Sequence, residues 1–300
     1  IGSLIMVLAA FQIIFTTSIP VFNTVFGTDI APPTDPVAFY NRWQTPYALL
    51  LAAFIAFSQI LHYSTNDAGL FLRRLVFPAG SAVILTVPLV LTGVVTQLNF
   101  ILVVFFTLFA LMASIYNTIS LKTRPRNLAA FITHVGFVIF ILGAVITFSN
   151  SRVISSNTSQ YDLGDGRANA ENLVLMRGDT LQMSGFYVTY VSNRAVGNTT
   201  YYRVDFLRED NGRLSTAFTL NPSVNVHPKM GAVYNPDTRH FPGSDFYTYI
   251  ATVSQEPDYI VIKAIMNPYI NVLWLGAVVM TAGFLYAFIR RARMRWLGGS

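Results

Sequence analysis

"RNLAAFITHVGFVIFILGAVITFSNS", residues 126–151, holds one titratable side chain inside its apolar run, His134. The run is long enough to cross a hydrocarbon core, which takes roughly 20 helical residues. An imidazole without a partner in hydrocarbon costs on the order of several kcal/mol, so something must be arranged around this one. It lies seven residues past Asn127, about 10 Å into the bilayer at a rise of ~1.5 Å per residue. Three roles suit a ring at that depth: an interhelical hydrogen bond, a proton relay, or an axial ligand to a buried cofactor. A relay needs further ionisable groups along its route, and no apolar span contains Asp, Glu or Lys. A ligand needs a neutral imidazole, a partner helix, and small residues that let a flat ring approach. Gly136 and Gly143 lie on the same helix, and glycines there equally serve close helix packing. On the residues alone, ligand and packing donor both stay open.

The rest of the chain is of the same kind. Of its 300 residues 53% are hydrophobic and 11% charged, with a mean hydropathy of +0.49, too apolar for a soluble domain. The absence of cysteine excludes disulfides, thiolate metal sites and thiol catalysis by this chain. The sequence opens on Ile1 within an apolar stretch, so it is read as a piece of something longer. Six spans are expected, near 3–24, 46–63, 76–96, 98–119, 128–148 and 270–289. Arg73 and Arg74 follow the second, Lys122, Arg124 and Arg126 the fourth, and Arg290, Arg291, Arg293 and Arg295 the sixth. By the positive-inside rule these clusters mark the cytoplasmic side, and the long insert at 150–267 falls on the outer face. The net charge of +6 is therefore topological, because the insert carries ten Lys+Arg against eleven Asp+Glu. A nucleic-acid partner is disfavoured, and the lipid bilayer is the surface these cations face.

Within the insert the periodicity changes to alternation: "NLVLMR", "GFYVTYVS", "TYYRVDFLRE", "RLSTAFTL", "DFYTYIATVS" and "DYIVIKAI" read as strands. "EDNG" at 209–212 is a hairpin turn. The expected architecture is a membrane α-helical bundle of about six transmembrane helices with an inserted extracytoplasmic antiparallel β domain, a small barrel or sandwich. Residues 1–149 form five helices, 150–267 the β domain, and 268–300 the last helix and a basic cytoplasmic tail. The Pro-, Gly- and Asn-rich stretch at 221–246 is read as a long irregular loop. It holds His227, Lys229, Arg239 and His240, either a solvated surface or a cationic contact for a partner protein or an anionic group, with Arg239 as the fork donor. His62, beside Ser64, Thr65 and Asp67 at the end of the second span, reaches interfacial water.

Three stretches, in order, carry a resemblance. "APPTDPVAFYNRWQTPYALLL" (31–51), "NLAAFITHVGFVIFILG" (127–143) and "VIKAIMNPYINVLWLGAVVMTAGF" (261–284) resemble the C-terminal half of the CcmF-type members of the haem-handling family that also includes CcsA-type and NrfE-type proteins. The similarity covers most of the chain, with the soluble insert before the last span. It implies ligation of haem to the Cys-x-x-Cys-His motif of an apocytochrome c, outside a bacterial inner membrane, with the β domain in the periplasm. It further implies a b-type haem (haem b) between two histidines, with His134 in the position of the second. The first ligand and the tryptophan-rich segment that presents substrate haem belong to the N-terminal half, on the same or a separate chain. Trp43, Trp274 and Trp296 are scattered, and His227 and His240 do not match the family's outer histidines. The resemblance thus implies a haem-lyase component that is not competent alone. Its implied partners are that N-terminal half, CcmH- and CcmI-type maturation subunits, a CcmE-type haem chaperone and apocytochrome c. Arg239, His240, His227 and Lys229 are the candidate partner contacts. The alternative is a non-catalytic membrane scaffold whose β domain binds other subunits, with His134 as a buried hydrogen-bond donor.

Overall fold

A computed structural model describes residues 1–300 apart from 32, 34, 35, 62–66, 121–127, 160, 165, 228–230, 256, 257 and 298–300. At 36–38, 120, 167, 168, 227, 255 and 295–297 it describes the backbone alone. The chain divides into two compact units, Ile1–Ser149 with Val272–Ser300, and Asn150–Asn271.

The first unit is helical: α1 (Gly2–Thr17), α2 (Ile19–Phe26), α3 (Pro36–Ile60), α4 (Ala68–Leu91), α5 (Leu98–Ser120), α6 (Leu128–Asn150) and α8 (Ile270–Leu297). Four of these have the length and apolarity to cross a membrane, Ala68–Leu91, Leu98–Ile119, Leu128–Asn150 and Ile270–Met294. This is a membrane protein. The expected first span is not one helix: α1 and α2 meet at a bend of 58° and together make a fifth candidate. Pro20 at the start of α2 lacks the N–H that would continue the ladder, so the helix breaks at Ser18. The expected second span forms α3, 25 residues long, but it is not among the helices apolar enough by composition. It carries Gln44 and Gln59 within its length, and both amides find partners inside the unit. The third span begins eight residues earlier than expected, because the Asp67 carboxylate caps α4 by accepting from Gly69 N at 2.8 Å. Arg73 and Arg74 therefore lie in its first turns.

Helix α5 is the hub of the bundle and packs on both α3 and α4. Its Val103, Val104, Leu108, Phe109, Ala110 and Ala113 are buried with Ala56 of α3 and Ala82 of α4. Helices α6 and α8 meet through glycine. A Cβ built on Gly136 would fall 2.6 Å from Met280 Cα, on Gly143 2.6 Å from Leu273 Cα, on Gly276 2.5 Å from Phe140 Cα, and on Gly283 2.7 Å from Thr133 N. Each pairing runs up one helix as it runs down the other, so the helices are antiparallel. Each pair of glycines is seven residues, about two turns, apart, which puts one bare stripe on each helix. Lipid tails are as apolar as leucine, so the gain is close dispersion contact rather than water exclusion. The glycines of α6 are thus occupied by a neighbouring backbone.

The second unit is a two-sheet β structure whose order is β1 (Arg152–Val153), α7 (Gly166–Glu171), β2 (Leu173–Met176), β3 (Thr180–Met183), β4 (Phe186–Val196), β5 (Thr199–Asp210), β6 (Arg213–Leu220), β7 (Ser223–His227), β8 (Gly231–Asn235), β9 (Asp237–Phe241), β10 (Ser244–Gln255) and β11 (Asp258–Pro268). One sheet runs β1-β11-β10-β9 with β2 also on β11; the other runs β3-β4-β5-β7-β8 with β6 also on β5. All named strand pairs are antiparallel. The expected hairpin turn is present, with Asn211 at φ +52° and Gly212 at φ +76°, the two left-handed residues of a type I′ turn. Phe206 and Phe218, cross-strand partners, stack at 4.7 Å, and Phe246 of the other sheet meets them at 4.9 and 5.2 Å. One apolar core therefore closes both sheets.

The irregular loop expected at 221–246 is instead β7, β8, β9 and the start of β10. Val224 and Val226 alternate with polar residues on β7, and Pro222, Pro236 and Pro242 fall between strands, where proline costs no ladder bond. The density of turn residues reflects short strands.

At one end of the core, the Tyr190 hydroxyl donates to Asp258 Oδ1 at 3.1 Å and accepts from Asn193 Nδ2 at 2.9 Å. Burial first, then the Asp258 carboxylate, push the Tyr190 phenol up to about 12. The unfolded phenol, near 10, loses its proton first, so stability is complete below pH 10 and falls as pH rises from 10 to 12. A tyrosinate absorbance titration should show Tyr190→Phe removing a late-ionising phenol and shifting the alkaline unfolding limb. An unchanged titration would mean Tyr190 ionises with the exposed phenols.

Candidate functional site

His134 sits on α6, half-buried, six residues in from Leu128. Helices α3 and α5 bring their last turns to the same level. His134 Nδ1 lies 2.7 Å from Gln59 Nε2 of α3, 75 residues away in sequence. Gln59 is itself held from the other side: Asn117 Nδ2 of α5 donates to Gln59 Oε1 at 3.3 Å. A pocket of about 90 Å³ lies beside these three, lined also by Ser114, Thr118 and Phe131. Two of its buried polar atoms, Ser114 Oγ and Asn117 Oδ1, have no partner among the described residues.

An imidazole engaged at one nitrogen is chemically biased at the other. With Gln59 donating, Nδ1 accepts and Nε2 carries the proton. A primary amide is nearly isosteric when turned end for end. Turned, Gln59 Oε1 accepts the proton of Nδ1, and Nε2 is left with a bare lone pair. The site can therefore offer either a proton or an electron pair from Nε2, and Gln59 selects between them. The sequence reading missed Gln59, Asn117 and Ser114. Their signal was present, since an amide inside an apolar helix has to find a partner.

The other expected site residues are elsewhere. His62 and Lys229 lie outside the described residues, and so does the His227 side chain at the end of β7. Arg239 and His240 are neighbours on β9, exposed and at the end of its sheet. His240 Nδ1 lies 2.9 Å from Asp245 Oδ1 on the paired strand, and the Arg239 guanidinium sits 6.0 Å from the Phe241 ring. His134 and this pair are in different units. No group of three or more His, Asp and Glu that would hold a metal ion occurs among the described residues.

No family model matches the sequence, and no curated protein matches it. A solved structure does, "Cytochrome c Heme Lyase CcmF", with a TM-score of 0.59 and 14% identity over 95% of this chain. The chain spans 44% of that protein's length. Over that length it carries the fold of the haem lyase CcmF, a bundle of membrane helices with a β unit inserted before the last one.

Proposed function

We propose that the chain is the C-terminal part of a cytochrome c haem lyase, which holds a b-type haem in the membrane through His134 and assists attachment of haem to apocytochrome c on the outer face. The observation that carries this is the state of His134: an imidazole in the helical unit of a haem-lyase fold, with Nδ1 held by an amide and Nε2 facing away from that bond. A ligating histidine donates its second N–H to such a partner, which here requires Gln59 turned so that Oε1 faces Nδ1. The residues fit half of a haem site. One imidazole is supplied, and the pocket of about 90 Å³ is far below the roughly 300 Å³ at which ligand pockets begin. A porphyrin held there would need a second ligand and further walls beyond those of this pocket.

A haem bound there would supply one-electron transfer. His134 would hold it by an electron pair on Nε2, with Gln59 fixing the ring's orientation and the α6–α8 contact fixing the helix that carries the ring. The β unit, on the outer side by the distribution of cations, docks the haem chaperone and the partner that presents apocytochrome. The exposed Arg239 and His240 on β9 offer a charged edge for that contact.

The same hydrogen bond supports a second reading, a scaffold in which Gln59 alone satisfies the imidazole. Purification of the intact complex separates the two. A red preparation with a Soret band is expected, and a colourless one at full subunit content would leave the scaffold.

A further inference from the structure

The polar cluster around His134 is larger than a packing donor requires. One hydrogen bond would satisfy a histidine in a helix bundle, yet three side chains from three helices stand in line: Asn117 of α5, Gln59 of α3 and His134 of α6. The line has a direction. As it stands, Asn117 donates to Gln59 and Gln59 donates to His134, which leaves Asn117 Oδ1 buried with no partner among the described residues. Buried acceptors are seldom left so. Turning both amides reverses the line in place. Gln59 Nε2 then donates to Asn117 Oδ1 and His134 Nδ1 donates to Gln59 Oε1, with the same two bonds kept. The Asn117 amine then takes the unpartnered position, and the pocket of about 90 Å³ that Asn117 and Ser114 line has room and polar partners for a water.

We propose that Gln59, braced by Asn117, is the positioning residue that holds the proton of His134 on Nδ1 and so keeps Nε2 bare for iron. This rests on the reading of His134 as a haem ligand. It adds that an uncharged partner, rather than a carboxylate, sets how strongly the imidazole pushes electrons. A carboxylate in place of Gln59 draws the Nδ1 proton more strongly and makes the ring more basic, which favours ferric iron. An apolar side chain does the opposite.

The test is a redox titration of the purified complex, N-terminal half included, followed at the haem bands. Gln59→Glu should move the reduced-to-oxidised ratio at fixed poise about tenfold towards oxidised, about 59 mV for a one-electron couple. Gln59→Leu should move it towards reduced, and Asn117→Ala should follow Gln59→Leu by a smaller step. Opposite signs for Glu and Leu separate positioning from a loosened pocket, which would move both the same way. Wild-type potentials in all three variants, or shifts of one sign, overturn the proposal while His134 remains a ligand. A normal haem spectrum in His134→Ala removes the underlying reading instead. If Gln59→Leu does not accumulate, Gln59→Glu against Asn117→Ala carries the same comparison of signs.

Discussion

His134→Ala, made in the complete complex, is expected to abolish the Soret band of the proposed haem. Even a change in the partner of a ligating histidine costs roughly 10–100-fold in affinity, and removing the ligand costs at least that. The variant still folds. It leaves Gln59 with one hydrogen bond fewer, at about 1–3 kcal/mol, against a margin of about 5–15 kcal/mol for a typical protein. Lost colour at normal subunit content therefore reports on the ligand. Added imidazole, small enough for the vacated space, should restore part of the Soret band. A variant that binds haem with an unaltered spectrum would show that His134 is a packing donor.

The second large effect is mechanical. Gly276→Leu is expected to disrupt the helical unit, because even the first atom of its side chain would sit 2.5 Å from Phe140 Cα. What stands in the way is backbone, which cannot swing aside, so α6 and α8 must separate. Overpacking costs about 1–3 kcal/mol where side chains can adjust, and here the upper end applies. Gly136→Leu meets Met280 Cα at 2.6 Å and should behave alike. Gly80 of α4 is the control, with nothing within 4 Å of a built Cβ. Gly80→Ala should be neutral or stabilising by up to about 1 kcal/mol from helix propensity. Thermal unfolding in detergent reads all three. Equal melting temperatures for Gly276→Leu and Gly80→Ala would mean that α6 and α8 do not touch as described.

Part of the site was legible before any fold was known. His134 identified itself by being titratable in an apolar run, since the cost of an unpaired imidazole depends on its depth alone. Gly136 and Gly143 were legible as small residues on its helix, but a glycine is equally consistent with a cofactor's flat face and with a neighbouring helix. Met280 and Leu273 against them decide for the helix. In the β unit, alternation located the long strands and missed β7 to β9, because five-residue strands separated by proline look locally like a loop.

The sequence by itself determined what each segment must do with its own surface. Apolar runs had to become helices, alternating runs had to become half-buried strands, and Asn211–Gly212 had to turn. Each of these follows from forces acting within a few residues. Tertiary structure alone decided that Gln59, 75 residues from His134, meets its imidazole, that Asn117 holds Gln59 in turn, and that the glycine stripe of α6 receives α8. Such pairings depend on which helix faces pack together, and many arrangements of the same helices bury equal apolar area; what separates them is close backbone approach and the pairing of a few polar atoms where no water competes.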